Sequence, residues 1–307
     1  MKSQFNRSAI YVALGLSIAL VVGVLFGAKW VYDHTELEPV AVAPVPSDKA
    51  DSAECQAFID ALPETFQGHR RAEIADPVPD GVAAWASNSV DSITARCGVD
   101  LPAQYTELAQ TEKAAGATWL PVKDMTPGSG LTSWYTVDRS PAAVITTFED
   151  DEPAGLDEAV AALPESETKP GPAPLSRLGS AEPTGCDALD DALPRDLADD
   201  YTRVDPESFD GVDLPEPTAV WTAPRREPIV LRCGVKPPAG YKPGERVQQV
   251  NDVPWFEDTT LAEGTTSGTW YALGRATDIA VSLPQDADDG SLVKLSDAIA
   301  EATPEEK

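Results

Sequence analysis

Three apolar patterns run along the chain. From Ala9 to Ala28 the sequence reads AIYVALGLSIALVVGVLFGA, twenty residues without a charge. About 20 apolar residues in a helix cross about 30 Å of hydrocarbon, so this stretch predicts a membrane span over residues 9–28. Farther on, apolar and polar residues mix in short runs: "EPIVLRCGV" from Glu227, "RVQQVNDVPWF" from Arg246, "TWYALGR" from Thr269 and "DIAVSLP" from Asp278. Their β-branched and aromatic content and their Gly and Pro boundaries predict strands. The third pattern is helical. Leu292, Leu295, Ile299 and Ala302 fall three or four apart in "LVKLSDAIAEA", with residues 157–163 as a shorter counterpart. Residues 55–62 and 186–193 predict short amphipathic helices, stopped by Pro63 and Pro194.

The strands and helices come in two sets. "RCGV" stands at residues 96–99 and again at 232–235. "CQAFIDALPETF" from Cys55 matches "CDALDDALPRDL" from Cys186, and "SWYTVDR" at Ser133 matches "TWYALGR" at Thr269. Twelve residues separate Trp85 from Cys97 and Trp221 from Cys233, and 22 separate Cys97 from Trp119 and Cys233 from Trp255. Fifteen separate Trp119 from Trp134 and Trp255 from Trp270. Only the stretch between the Leu-Pro and the first Trp changes length, which reads as a loop insertion. A period of 131 residues is domain-sized, so the repeat is a tandem pair rather than a solenoid. The expected fold class is α+β: an N-terminal transmembrane helix, then two copies of a small helix–antiparallel sheet–helix module. The expected boundaries are a cytoplasmic N-terminus over 1–8, the anchor over 9–28, a Pro-rich stalk over 36–53, a first module over 54–163, a linker over 164–184 and a second module over 185–303.

Charge and cysteines set the compartment. Lys2 and Arg7 precede the apolar span and Lys29, Asp33, Glu36 and Glu38 follow it. The positive-inside tendency then leaves the N-terminus in the cytoplasm and the bulk of the chain outside, a single-pass protein of the plasma membrane. A cleaved signal peptide fits less well, because Phe26 fills a position that wants a small side chain. The four cysteines, Cys55, Cys97, Cys186 and Cys233, all lie beyond the span. Four cysteines allow three pairings, and a repeat in which each copy closes its own selects Cys55–Cys97 and Cys186–Cys233. Thiolate zinc binding would call for short C-x-x-C knuckles, which are missing.

The net charge of −28 excludes nucleic acid as an expected partner, because such a body repels phosphates. The bilayer is the expected partner through residues 9–28. Gly15, Ala19, Gly23 and Gly27 recur every four residues and offer a small-residue stripe for self-association. Histidine is scarce: His34 beside the membrane and His69 in "FQGHRR", expected as a solvated loop residue. No nucleophile-elbow, zincin, Walker or dinucleotide motif occurs, and neither a cofactor nor a metal is expected. Asp286, Asp288 and Asp289 before Gly290 lack the full ligand ladder of a calcium loop. The side chains kept in both copies are Trp85 and Trp221, Trp119 and Trp255, Trp134 and Trp270, Arg96 and Arg232, and Arg139 and Arg275. They form either core or a ligand groove.

The order C…ALP…AW…RCGV…W…Y…R with a final helix resembles the actinobacterial DUF3515 family of membrane-anchored or secreted proteins. The resemblance covers nearly all of the second copy, where "AVWTAPRREPIVLRCGV" is its most specific part; "SNSVDSITARCGV" in the first copy lacks the proline and the basic pair. The resemblance supports location and fold, and brings no catalytic residues. The function expected is a tethered pair of binding or scaffolding modules in the bacterial cell envelope, facing an unknown envelope protein or ligand. The alternative is an envelope hydrolase using carboxylates and His69.

Overall fold

The computed structural model describes residues 7–34, 38–45, 47–87, 92–126, 128–148, 151–197, 200–209, 211–242, 244–261, 264–285, 287 and 289–306. Lys2, Glu36, Asp286 and Asp288 lie outside the described residues. The first element, α1 (Arg7–His34), is a continuous helix whose Tyr11–Trp30 window is wholly unburied. By length and composition it can cross a membrane. Within it the Ser17 hydroxyl donates back to the Ala13 carbonyl at 2.9 Å, which satisfies that polar hydrogen inside the helix.

Two antiparallel sheets follow. The first holds β1 (Thr65–Phe66), β2 (His69–Arg71), β3 (Val82–Ala86), β4 (Ser92–Val99), β5 (Glu112–Ala114), β6 (Ala117–Lys123), β7 (Leu131–Thr136) and β8 (Ala142–Phe148), ordered β1-β2-β3-β4-β8-β7-β6-β5. The second holds β9 (Thr202–Val204), β10 (Thr218–Thr222), β11 (Ile229–Val235), β12 (Gln248–Val250), β13 (Val253–Glu257), β14 (Ser267–Ala272) and β15 (Asp278–Pro284), ordered β12-β13-β14-β15-β11-β10-β9. Read from β5 and from β12, the two orders are the same except that β1 has no counterpart in the second sheet. In each, a four-stranded meander folds back so that its last strand pairs with the RCGV strand.

One face of each sheet carries two helices. In the first, α2 (Ala53–Ala61) packs against α3 (Asp157–Ala161); in the second, α4 (Cys186–Ala192) packs against α5 (Asp289–Ala302). Ser52 caps α2 by accepting the Cys55 N–H at 3.2 Å. Phe58, Leu62 and Val160 meet Trp85, Ile93 and Ile145 in one core, and Leu189, Leu295 and Ile299 meet Trp221, Leu231 and Val281 in the other. Disulfides Cys55–Cys97 and Cys186–Cys233 tie the first helix of each pair to the RCGV strand, with Cα atoms 5.4 and 5.8 Å apart.

The sequence expectation for "RVQQVNDVPWF" is one strand, and the structure makes two. Asn251, at φ +49°, turns β12 into β13. Ala115 and Gly116, at φ +45° and +74°, do the same between β5 and β6. Two successive left-handed residues form the tight turn whose twist suits a hairpin. Gln67 and Gly68, at φ +46° and +81°, likewise turn β1 into β2, so His69 is a half-buried strand residue rather than a loop residue.

Described residues of the stretches expected as stalk and linker lie against the sheets. Val40 bridges Ile74, its N–H reaching the Glu73 carbonyl at 2.8 Å, and Ala50 is buried. In the later stretch, Lys236 donates to the Gly179 carbonyl at 2.8 Å and Ala181 to the Gly234 carbonyl at 2.7 Å. Proline-rich backbone is extended and leaves its carbonyls unpaired. Here those carbonyls meet donors on the sheet face that carries no helices.

Candidate functional site

The repeated tryptophans lie in the helix-facing cores. Trp85, Trp119, Trp134, Trp221 and Trp255 are fully buried, and Trp270 is half-buried. Each buried indole N–H has an acceptor. Trp85 donates to the Pro63 carbonyl at 2.8 Å and Trp221 to the Pro194 carbonyl at 2.9 Å, which explains why Leu-Pro and Trp recur together. Trp119 reaches the Ala114 carbonyl at 2.8 Å, Trp255 the Ser296 hydroxyl at 2.9 Å and Trp134 the Thr147 hydroxyl at 3.2 Å.

The repeated arginines are clamps. Arg232, only 2% exposed, donates to the Leu175 carbonyl at 3.0 Å, the Leu178 carbonyl and the Ser180 hydroxyl at 2.7 Å. It thereby holds residues 175–180 as a strap across its sheet. Arg96 does the same on the earlier strap, donating to the Ala43 carbonyl at 2.6 Å. Burial pulls both guanidinium groups below their ordinary pKa, while Tyr271 and Tyr135 beside them pull the other way. The glycine that follows each arginine by two positions makes room. Gly98 and Gly234 sit at φ +83° and +72° where the ladder register shifts, so each is a bulge. A Cβ on Gly98 would meet the Ala50 nitrogen at 2.6 Å. In RCGV, then, arginine grips the strap, cysteine staples the helix, and glycine lets the strap come close.

Arg139 and Arg275 grip the other end of each copy. Arg139 donates to the Gly116 carbonyl and Arg275 to the Asp252 carbonyl at 3.3 Å, each at a hairpin turn. Both also bridge the segment after the last helix, at Glu165 and Glu305. Two further arginines escaped the sequence comparison because they lie where the copies differ in length. Arg71 and Arg203 stack over Trp85 and Trp221, at 5.3 and 5.9 Å, and donate to the carbonyls of Ile59 and Asp190.

The concave site lies elsewhere, on the strap side of the second sheet. Side chains alternate across a strand, so Ser267 and Thr269 in β14 and Ser282 in β15 point away from the helices. Thr269 and Ser282 stand directly opposite each other in the ladder. They lie in a cleft of ≈ 460 Å³. Pro172, Pro174, Leu175 and Leu178 of the strap line it, together with Gln104 from the first copy and Thr260 and Leu261 from the second. Gln104 spans the copies to Thr266 at 3.4 Å. Glu227 accepts the Ser267 hydroxyl at 2.8 Å, and the exposed Arg177 also lines the cleft. The arrangement offers several hydroxyls, one carboxylate and one guanidinium between apolar walls. Short hydroxyl side chains on a rigid sheet form hydrogen bonds in fixed directions, and a volume of several hundred cubic ångströms suits a small molecule. No periodicity marks these hydroxyls in the sequence, because their shared face depends on strand pairing.

His69 does not line this cleft. It sits opposite Phe66 in the ladder, its Nδ1 buried without a hydrogen-bond partner. Among the described residues no group of three or more His, Cys, Asp or Glu side chains is placed to hold a metal ion.

The repeat that builds these two sheets also matches a family twice. The family described as a protein of unknown function, DUF3515, matches residues 14–171 and again residues 158–307. The chain belongs to the DUF3515 family. It carries two tandem copies of that family's unit, each with one RCGV strand. Comparison with curated proteins finds no match.

Proposed function

We propose that this DUF3515 chain is a membrane-tethered extracytoplasmic binding protein, its two helix–sheet–helix modules working as one ectodomain in the cell envelope. Three features support the reading. The N-terminal helix is apolar and unburied over Tyr11–Trp30. Each module carries its own disulfide, the chemistry of an oxidising compartment. Described residues of both straps lie against the sheets: Val40 bridges Ile74, and Lys236 donates to the Gly179 carbonyl.

The observation that carries a binding role is the ≈ 460 Å³ cleft, whose floor is Ser267, Thr269 and Ser282 and whose wall includes Gln104 of the first copy. The ligand class is a small, polar, largely uncharged molecule with one apolar edge. It would hydrogen-bond the hydroxyl floor and lie against Pro172 and Pro174.

A thermal-shift screen of envelope-derived small molecules tests this. A ligand should raise the melting temperature of the solubilised chain and leave that of Thr269→Trp, which fills the cleft, unchanged. Bound at 100 times its Kd, it should stabilise by about 2.7 kcal/mol. Ligands that shift both proteins equally would place binding elsewhere and sink the cleft as the site.

A further inference from the structure

We propose that Trp270 and its surroundings receive an arginine side chain from a partner protein other than a second copy of this chain. The first copy supplies the pattern, because its corresponding position is already filled. There Arg225, from the second copy, lies over the Trp134 ring at 5.2 Å, and its Nε and Nη2 fork onto Glu112 at 2.8 and 3.1 Å. Glu152 pairs with the same guanidinium. These carboxylates hold the Arg225 pKa above its ordinary value. Arg225 sits at φ +58°, an unfavoured conformation for a side-chain-bearing residue that the docked contact holds in place. The basic pair that marks the second copy is therefore a docking loop aimed at the first.

Among the described residues, no side chain fills the same position in the second copy. Trp270, Gln248 and Gly268 stand where the first copy has Trp134, Glu112 and Thr132, and they line a pocket of ≈ 210 Å³ with Glu257 and Gln285. Two substitutions open it. Leu283 replaces Thr147, so among the described residues no acceptor reaches the Trp270 indole N–H. Gly268 replaces Thr132 and lets two polar atoms close in on the backbone: a Cβ there would lie 2.9 Å from Trp270 Nε1 and 3.1 Å from Glu257 Oε1, so no side chain stands between them. An aromatic face beside an exposed carboxylate suits a guanidinium, which is planar, stacks on indole and forks onto oxygen.

The occupant is not another copy of this chain by the same contact. Ser89 and Val90 stand in the first copy where Arg225 and Arg226 stand in the second, so its loop carries no arginine to offer. The net charge of −28 also sets such chains against one another and favours a basic partner.

The test uses the full chain in nanodiscs with ¹⁵N-labelled tryptophan, the Trp270 indole signal being assigned by its loss in Trp270→Phe. The probe is the peptide TAPRREP, the chain's own docking loop. It should move the Trp270 signal and leave Trp134 unmoved. Lysine in place of its first arginine should weaken binding about two- to fivefold, the size of an exposed cation–π advantage. Citrulline there should abolish the shift, and Glu257→Gln, an exposed change that leaves folding intact, should weaken it. Equal shifts from the arginine and citrulline peptides, or none from either, would overturn the proposal. So would self-association of the solubilised chain that disappears in Trp270→Ala, since the occupant would then be a second copy.

Discussion

Arg232 and Tyr271 show how single side chains hold the strap side of the second sheet. Arg232 bonds three strap acceptors from a site with almost no solvent contact. Removing a charged donor from buried acceptors costs more than the bonds are worth in water, because the acceptors keep their desolvation penalty. Arg232→Met should lower stability in urea titrations by about 3 kcal/mol and expose residues 171–180 to limited proteolysis. Arg96→Met, at a half-buried position with one described strap bond, should cost about 1 kcal/mol. Tyr271 lies against the same strap, and its hydroxyl pKa is pushed up to about 12, first by burial, then by Asp258 and Asp278, with Arg232 opposing. The folded state therefore favours the neutral phenol. Its contribution is complete below the unfolded value of about 10 and is lost as pH rises through about 12. Wild type should lose more stability than Tyr271→Phe between those limits, measured by chemical denaturation at each pH. Parallel curves would show that Tyr271 is not the group responsible.

At the scale of elements, each copy is a short helix stapled to a bulged strand. α4 has only seven residues, too few to persist alone, so packing and the Cys186–Cys233 bond hold it. Cys233→Ser should destabilise the second copy by about 2–5 kcal/mol, the usual cost of losing a disulfide from a small secreted domain. Cys55–Cys97 should survive, which non-reducing peptide mapping reads directly. Much at this scale is legible in the sequence. The pairing within copies follows from equal spacing, and α5 from apolar residues three and four apart. The hairpin turns are not, because Asn251-Asp252 interrupts a run whose β-branched and aromatic residues look continuous, and β5 before Ala115-Gly116 is only the three residues Glu-Lys-Ala. Left-handed φ values there come from the twist of the paired strands.

At the scale of the whole molecule, Arg96 and Arg232 bind the straps to their sheets and the Arg225 loop joins the copies. A topology experiment tests the tethered reading. Since Lys2 and Arg7 precede the apolar span over residues 9–28, a reporter that works only outside the cytoplasm should be active when fused after Lys307. Activity of a cytoplasm-only reporter at that position would refute it.

The amino-acid sequence by itself determined what is local or repeated: an apolar helix, two copies of one unit, their principal strands and helices, and which cysteines share a copy. Periodicity and equal spacing encode those features, and neither depends on how distant segments meet. The tertiary structure alone decided which repeated arginines grip straps, that Ser267, Thr269 and Ser282 share a cleft with Gln104, and that Arg225 seals Trp134 while Trp270 stays open. Those outcomes depend on strand register and on contacts between residues far apart in the chain. No short-range pattern records them, because the free energy that selects them comes from surfaces that exist only after both sheets have formed.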